Sequence, residues 1–266
     1  MSDPIDALFR IDGKTAVITD SGALSSIDVA PLLARAGATV VIADLDPDAT
    51  SSLAERIVAD GGRATGIPTD ITSEDSVAAL FAAVRQQFGR CDILVNCAGL
   101  TANAPITETS MAHYDEVQDI NQRSTFMLMR EAVRLMTEVG EGGRIVNVTT
   151  IGSIHPTLHG NAAYGASRAG VTAMTRALAY DHASDGIRAN LVLPGAVQGK
   201  TRFHEDILPR LTSGQLSGAA VDDPRRMAFG MGNGQDIATA VLYLVGPSST
   251  YITGQSIVLD GGFLLT

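Results

Sequence analysis

The stretch KTAVITDSGALSSIDVAPLLARAGATVVIAD, Lys14–Asp44, reads as a strand, a helix and a second strand in direct succession. Its ends, KTAVIT and TVVIA, are near-continuous runs of small and β-branched apolar residues, the pattern of strands buried on both faces. A strand–helix–strand unit of this kind forms a parallel pair joined by a right-handed crossover. The alternation continues along the chain. Strands are predicted over Lys14–Thr19, Thr39–Ala43, Ala64–Pro68, Asp92–Asn96, Arg144–Thr149, Arg188–Leu193 and Gln255–Leu259. Amphipathic helices are predicted over Ala49–Asp60, Ser73–Phe88, Met111–Glu138, Ala162–Asp181 and Asp236–Val245. The expected architecture is α/β: a doubly wound parallel sheet of about seven strands with helices on both faces.

The 266 residues contain no linker, composition break or internal repeat, so a single domain over 1–266 is expected. Gln198–Gly234 is the least regular segment, and 198–234 reads as a substrate lid or a long surface excursion. A net charge of −10 argues against nucleic acid and anionic membranes as partners, since both demand basic patches. No apolar run approaches the roughly 18 residues of a membrane span. Met1–Arg10 lacks the basic-then-apolar layout of a signal peptide, which points to the cytoplasm. Cys91 and Cys97 fit reduced core thiols better than a disulfide or metal pair. The five histidines are scattered, with His155, His159 and His204 in expected loops, and no metal site is expected.

Six short segments carry a more specific signal: VNCAG at Val95–Gly99, Asn121 within DIN, IVNVTT at Ile145–Thr150, YGASR at Tyr164–Arg168, LPG at Leu193–Gly195 and YITGQSIVLDGG at Tyr251–Gly262. In this order they resemble the short-chain dehydrogenase/reductase family over essentially the whole chain, implying a Rossmann-like fold. The resemblance makes Tyr164 the general acid, giving a proton to a carbonyl as hydride arrives or removing one in the reverse direction. A free phenol ionises near pH 10, and the family assists it with a lysine four residues on, on the same helix face. Here that position is Arg168, which keeps the cation but is planar and cannot give up a proton. The family's hydroxyl donor corresponds to Thr150 or Ser153, either of which can polarise an oxygen beside the tyrosine. Asn121 matches an asparagine that holds a water or distorts its helix. Asn96 matches one that ties neighbouring strands.

The same resemblance implies a nicotinamide cofactor. Asp44, ending the second strand, would accept hydrogen bonds from the adenosine ribose and repel the extra phosphate of NADP, so NAD is expected. Asp70 and Ile71 would line the adenine, and Asn96, Ala98, Gly99, Pro194, Gly195 and Val197 would complete the cofactor contacts.

Departures from the family pattern are concentrated in one turn. Aligned from Lys14 to Asp44, the three glycines of the family's TGxxxGxG become Asp20, Leu24 and Ser26. Glycines there permit the tight turn, the approach of pyrophosphate and helix–strand packing. Pro31 costs least near a helix start, so a late helix is expected, with Asp28 as its N-cap and Pro31 in its first turn. Asp28 would then occupy the amides a pyrophosphate uses. A threonine of the family, four positions after PG, is Gly199 here. Three functions stay open: an NAD-dependent alcohol dehydrogenase or ketone reductase, a cofactor-free lyase resembling halohydrin dehalogenases (which also carry arginine in place of the lysine), and a non-catalytic partner subunit. Phe203, Ile207, Leu208, Leu211, Met227, Phe229 and Met231 suggest a small apolar substrate. The resemblance implies a homo-oligomer, dimer or tetramer, through the long helices and the C-terminal FLLT.

Overall fold

The computed structural model describes residues 4–19, 24–101, 103–198, 213, 217–218, 226 and 228–265. Asp20, the side chain of Leu24, Gly199 and most of the expected lid, including Phe203, His204, Ile207, Leu208, Leu211 and Met227, lie outside the described residues.

Seven strands pair in one sheet: β1 (Thr15–Thr19), β2 (Thr39–Asp44), β3 (Arg63–Pro68), β4 (Ile93–Asn96), β5 (Gly143–Val148), β6 (Ile187–Pro194) and β7 (Ser256–Leu259). Their order is β3-β2-β1-β4-β5-β6-β7, and every adjacent pair is parallel. Each strand agrees with the sequence reading to within one residue at either end. The helices are α1 (Asp6–Phe9), α2 (Leu24–Arg35), α3 (Pro47–Ala59), α4 (Glu74–Phe88), α5 (Met111–Gln118), α6 (Ser124–Val139), α7 (Ala162–Asp181) and α8 (Gly234–Val245). No helix among the described residues is long and apolar enough to cross a membrane.

Alternation along each strand divides the core in two. Ala16, Ile18, Val40, Ile42, Ile93 and Val95 face α2, α3 and α8 through Val29, Leu33, Leu53, Ile57, Val241 and Leu244. Val17, Val41, Leu94 and Ile145 face α4 and α6 through Leu80, Phe81, Val84, Leu128 and Met136. A strand with both faces covered needs a continuous apolar run, and that is why these segments were legible.

Two sequence expectations are overturned. The helix after β1 does not start late: α2 begins at Leu24, Asp28 is its fifth residue rather than its cap, and Pro31 lies inside it. Burial decides this. Ser26, Val29, Ala30, Leu33 and Ala34 are all buried, and packing them requires helical spacing from the early turns onward. The hydrogen bond that Pro31 forfeits is to the Ile27 carbonyl, four residues back. Ile27 is exposed and Pro31 is only half-buried, so the loss falls on the solvent side, where water can take the carbonyl. The second correction concerns Met111–Glu138. It is not one continuous α-helix, because a π-helical turn, Asp119–Arg123, separates α5 from α6 and contains Asn121.

At the N-terminal edge of the sheet, Asp92 is the main polar anchor. Its carboxylate accepts from the Thr15 N–H (2.9 Å) and Lys14 Nζ (3.1 Å), and it pairs with Arg90. Burial alone pushes this carboxyl up, but the hydrogen bonds from Arg90, Thr15 and Lys14 outweigh burial and hold it below the usual carboxylate range.

Candidate active site

All strands run the same way, so their C-terminal ends share one edge. The chain order reverses between β1 and β4, and a crevice for ligands opens at such a switch point. Thr19, the last residue of β1, fixes the neighbouring loop: its buried Oγ1 accepts from the N–H groups of Cys97 (3.0 Å) and Ala98 (3.2 Å). Asn96 lies just below, buried, and its Nδ2 donates to Asn147 Oδ1 at 2.7 Å. Asn147 in turn donates to Thr175 Oγ1 at 2.7 Å, so Asn96 ties β4 to β5 and onward to α7.

The π-helical turn brings Asn121 to the same loop. Its Oδ1 accepts from the Leu100 N–H (2.7 Å), and its Nδ2 donates to the Leu100 carbonyl (2.9 Å) and to Ser167 Oγ (3.0 Å). Ser167 Oγ in turn donates a hydrogen bond to the Tyr164 carbonyl at 2.7 Å. One asparagine therefore links the loop after β4 to the first turn of α7, which carries Tyr164. Nothing in its spacing assigned Ser167 a part, although YGASR contains it.

The hydroxyl-bearing turn follows β5. Thr150 caps the short 3-10 turn Ile151–Ser153, and its Oγ1 accepts from the Gly152 N–H at 3.1 Å. Ser153 Oγ instead donates to the Thr150 carbonyl at 2.7 Å. The two candidates thus differ: Ser153 has its proton engaged, whereas Thr150 Oγ1 is held as an acceptor and keeps its proton for another group. Gly165, beside the tyrosine, lets α7 approach this turn, because a Cβ there would stand 3.2 Å from the Gly152 carbonyl oxygen.

Arg168 is 5% exposed. Its Nη2 donates to the Ala98 carbonyl at 3.2 Å, and its guanidinium carbon lies over the Tyr164 ring, 5.5 Å from the centroid. That is within the reach of about 6 Å over which a cation is attracted to an aromatic face. Tyr164 and Arg168 are therefore brought together with the Ala98–Gly99 backbone between β4 and α7.

The adenosine-side positions sit at neighbouring strand ends. Asp44 Oδ1 accepts from the Asp46 N–H at 2.8 Å. Asp70 Oδ1 accepts from the N–H (2.9 Å) and hydroxyl (2.6 Å) of Thr72, and Ile71 packs partly buried against the core. On the far side, the Gly195 N–H donates to Leu259 at 2.9 Å after Pro194 ends β6. A Cβ at Gly195 would lie 3.0 Å from the Asp260 Cα. Val197 bridges Gly232. From the expected lid, the Ser217 carbonyl accepts from the His159 N–H at 2.9 Å, on the loop joining Thr150 to Tyr164. Phe229 is exposed and Met231 half-buried. At the C-terminus Phe263 is buried within its own chain beside Ile151 and Leu193, while Leu265 is exposed.

The residues present suit a nicotinamide dinucleotide on two observations. Asp28 lies beyond the first turn of α2, which holds no acidic residue; a helix N-terminus of this kind favours an anion. Arg168 Nε, buried, has no hydrogen-bond partner among the described residues, and a buried donor of this kind calls for an acceptor. No cluster of metal-binding side chains occurs among the described residues.

Comparison with known proteins agrees with this geometry. Residues 22–264 match the family model described as Enoyl-(Acyl carrier protein) reductase. The chain is 31% identical over 272 residues to D-threitol dehydrogenase of Mycolicibacterium smegmatis, covering 98% of this chain and 96% of that protein. It is 32% identical over 253 residues to 7alpha-hydroxysteroid dehydrogenase of Escherichia coli, covering 95% of each. A solved short-chain type dehydrogenase/reductase from Mycobacterium marinum superposes with a TM-score of 0.86 at 29% identity, over 100% of both chains. The chain belongs to the short-chain dehydrogenase/reductase family. It is an oxidoreductase of that type, a family that uses NAD(P) and acts on small substrates.

Proposed function

We propose that this protein interconverts a secondary alcohol and a ketone with NAD(H), using Tyr164 as proton donor and acceptor. The observation carrying this reading is the Tyr164–Arg168 pair at the C-terminal edge of the sheet, its charged partner buried and hydrogen-bonded to the Ala98 carbonyl. In reduction the Tyr164 phenol gives its proton to the carbonyl oxygen, and in oxidation the phenolate takes it from the alcohol. Thr150, its hydroxyl proton uncommitted, hydrogen-bonds the same oxygen and stabilises the charge developing there. Ser153 supports the Thr150 backbone. Arg168 supplies a fixed positive charge beside the phenol, and Asn121 positions both by joining Leu100 to Ser167.

The bound cofactor supplies or accepts the hydride. Asp44 would hold the adenosine ribose, with Asp70 and Ile71 at the adenine. Arg168 Nε, Ala98 and Gly99 would flank the nicotinamide ribose, and Pro194, Gly195 and Val197 the nicotinamide. The Asp44 carboxylate favours NAD over NADP, because a phosphate on that ribose would meet a like charge. The named relatives act on a polyol and a hydroxysteroid, and exposed Ile154 and Phe229 support the less polar end of that range. Exposed Met111, Tyr114, Phe126 and Tyr180 support a homo-oligomer joined through α5, α6 and α7. Cys91 and Cys97, neither in a disulfide, suit a reducing cytoplasm.

The test is turnover of D-threitol and a 7α-hydroxysteroid with NAD+ and NADP+, beside NADH binding followed by fluorescence. Tyr164→Phe is expected to lower kcat by about 10²-fold or more while NADH still binds. Unchanged turnover in Tyr164→Phe would overturn the reading.

A further inference from the structure

We propose that Gly99 is a positioning residue for the charge beside Tyr164: its lack of a side chain fixes where the Arg168 guanidinium lies. A Cβ built on Gly99 would fall 1.4 Å from Arg168 Nη2, 2.6 Å from Cζ and 3.3 Å from Nη1. The guanidinium therefore occupies the volume a side chain at 99 would take. The same Nη2 donates to the carbonyl of Ala98, the residue before. Arg168 is thus seated on two consecutive backbone units at the end of β4, and from that seat its Cζ lies over the Tyr164 ring.

The seat has two consequences. Arginine stays protonated and its planar fork is rigid, so position 168 is a stationary charge and carries no proton away from the phenol. The seat also depends on residue 99. A methyl group at Gly99 collides with the far end of a flexible side chain, not with backbone. The chain can fold by moving the guanidinium, and the Ala98 hydrogen bond and the alignment over Tyr164 are then lost. Gly99 acts on the phenol through Arg168. A role for Gly99 in making room for the cofactor would be independent of residue 168, and the two roles are separable.

The catalytic meaning of this coupling rests on Tyr164 being the proton donor; the coupling itself does not. The experiment is a double-mutant cycle on Gly99→Ala, Arg168→Met and the combination, with Tyr164→Phe as reference. The first readout needs no substrate: tyrosinate ultraviolet absorbance against pH, each variant minus its Tyr164→Phe counterpart. An opposite charge close to an acid favours its ionised form. In Gly99→Ala the Tyr164 signal is expected to move relative to the wild type, with the melting temperature nearly unchanged. In the Arg168→Met background Gly99→Ala is expected to add nothing. The second readout is kcat with NAD+, in which the same non-additivity is expected.

An unmoved tyrosinate signal in Gly99→Ala, or equal effects of Gly99→Ala with and without Arg168, overturns the proposal. Loss of fold in Gly99→Ala also overturns it, because the guanidinium must yield before the backbone does. Retained turnover in Tyr164→Phe together with a moved signal overturns the catalytic reading and leaves the coupling in place.

Discussion

Asn121 grips both polar groups of one backbone unit: its amide accepts from the Leu100 N–H at 2.7 Å and donates to the Leu100 carbonyl at 2.9 Å. Asn121 is fully buried, and its remaining donor reaches Ser167 in the turn that carries Tyr164. Asn121 therefore holds the loop after β4 against the start of α7, beside the Arg168–Ala98 hydrogen bond. Asn121→Ala is expected to cost about 1–3 kcal/mol of stability, from polar groups left unsatisfied, and to lower kcat at least tenfold. Asn121→Asp keeps the acceptor for Leu100 N–H but loses both donors, and should restore neither. Chemical denaturation beside steady-state kinetics checks both.

The two hydroxyls after β5 differ in their hydrogen bonds, and the proposed reading gives them different weights. Thr150→Ala removes the uncommitted O–H and is expected to lower kcat about 10²–10³-fold, the range for a lost oxyanion donor. Ser153→Ala removes a support for the Thr150 carbonyl and should reduce kcat by only a few-fold. Thr150→Ser is expected to restore most of the activity. Equal losses in Thr150→Ala and Ser153→Ala would refute the distinction.

On the proposed reading, Asp44 sets the cofactor preference. Replacement by serine removes the charge that opposes the NADP phosphate and the acceptor for the NAD ribose. NADH binding is expected to weaken about tenfold or more while NADPH binding improves, since each lost charge-assisted hydrogen bond is worth roughly 1.5–3 kcal/mol. Fluorescence titration with both cofactors measures the two constants directly.

Pro31 gives a test of where α2 begins. In the interior of a helix, Pro31→Ala restores the hydrogen bond to the Ile27 carbonyl. Relief of a penalty of about 3 kcal/mol is partly offset by a more flexible unfolded chain, about 1 kcal/mol. The variant is therefore expected to be stabilised by about 2 kcal/mol. A proline in the first turn, as the late-starting helix required, would give no such gain.

Acid stability should follow Asp92. Its carboxyl titrates below the ordinary value of 3.8 in the folded protein. Above pH 3.8 the carboxylate is charged in both states and its contribution is fully present. As pH falls below 3.8 the unfolded chain takes up its proton first, and the stabilisation disappears as pH passes the folded value. Asp92→Asn should lower stability at neutral pH and flatten the fall in stability below pH 4 (about the ordinary carboxylate range). Urea unfolding at a series of pH values reads both effects.

The sequence by itself determined the sheet. Strands buried on both faces need unbroken apolar runs, and KTAVIT, TVVIA, DILVN and RIVNVT announce themselves for that reason. It also placed Tyr164 and Arg168 one helical turn apart on the same helix face, a pair singled out by the resemblance to the family. Tertiary structure decided the rest. The start of α2 was misread from Pro31 and Asp28, since local cost favours a late helix while burial of Ser26, Val29 and Ala30 against the sheet favours an early one. The π-turn at Asn121 could not be read from helical periodicity, which passes through it unbroken. Thr150 and Ser153 are both hydroxyls near the end of one strand, and only their hydrogen bonds distinguish them. Gly99 and Arg168 are far apart in the chain, and the room one leaves for the other exists only where β4 meets α7.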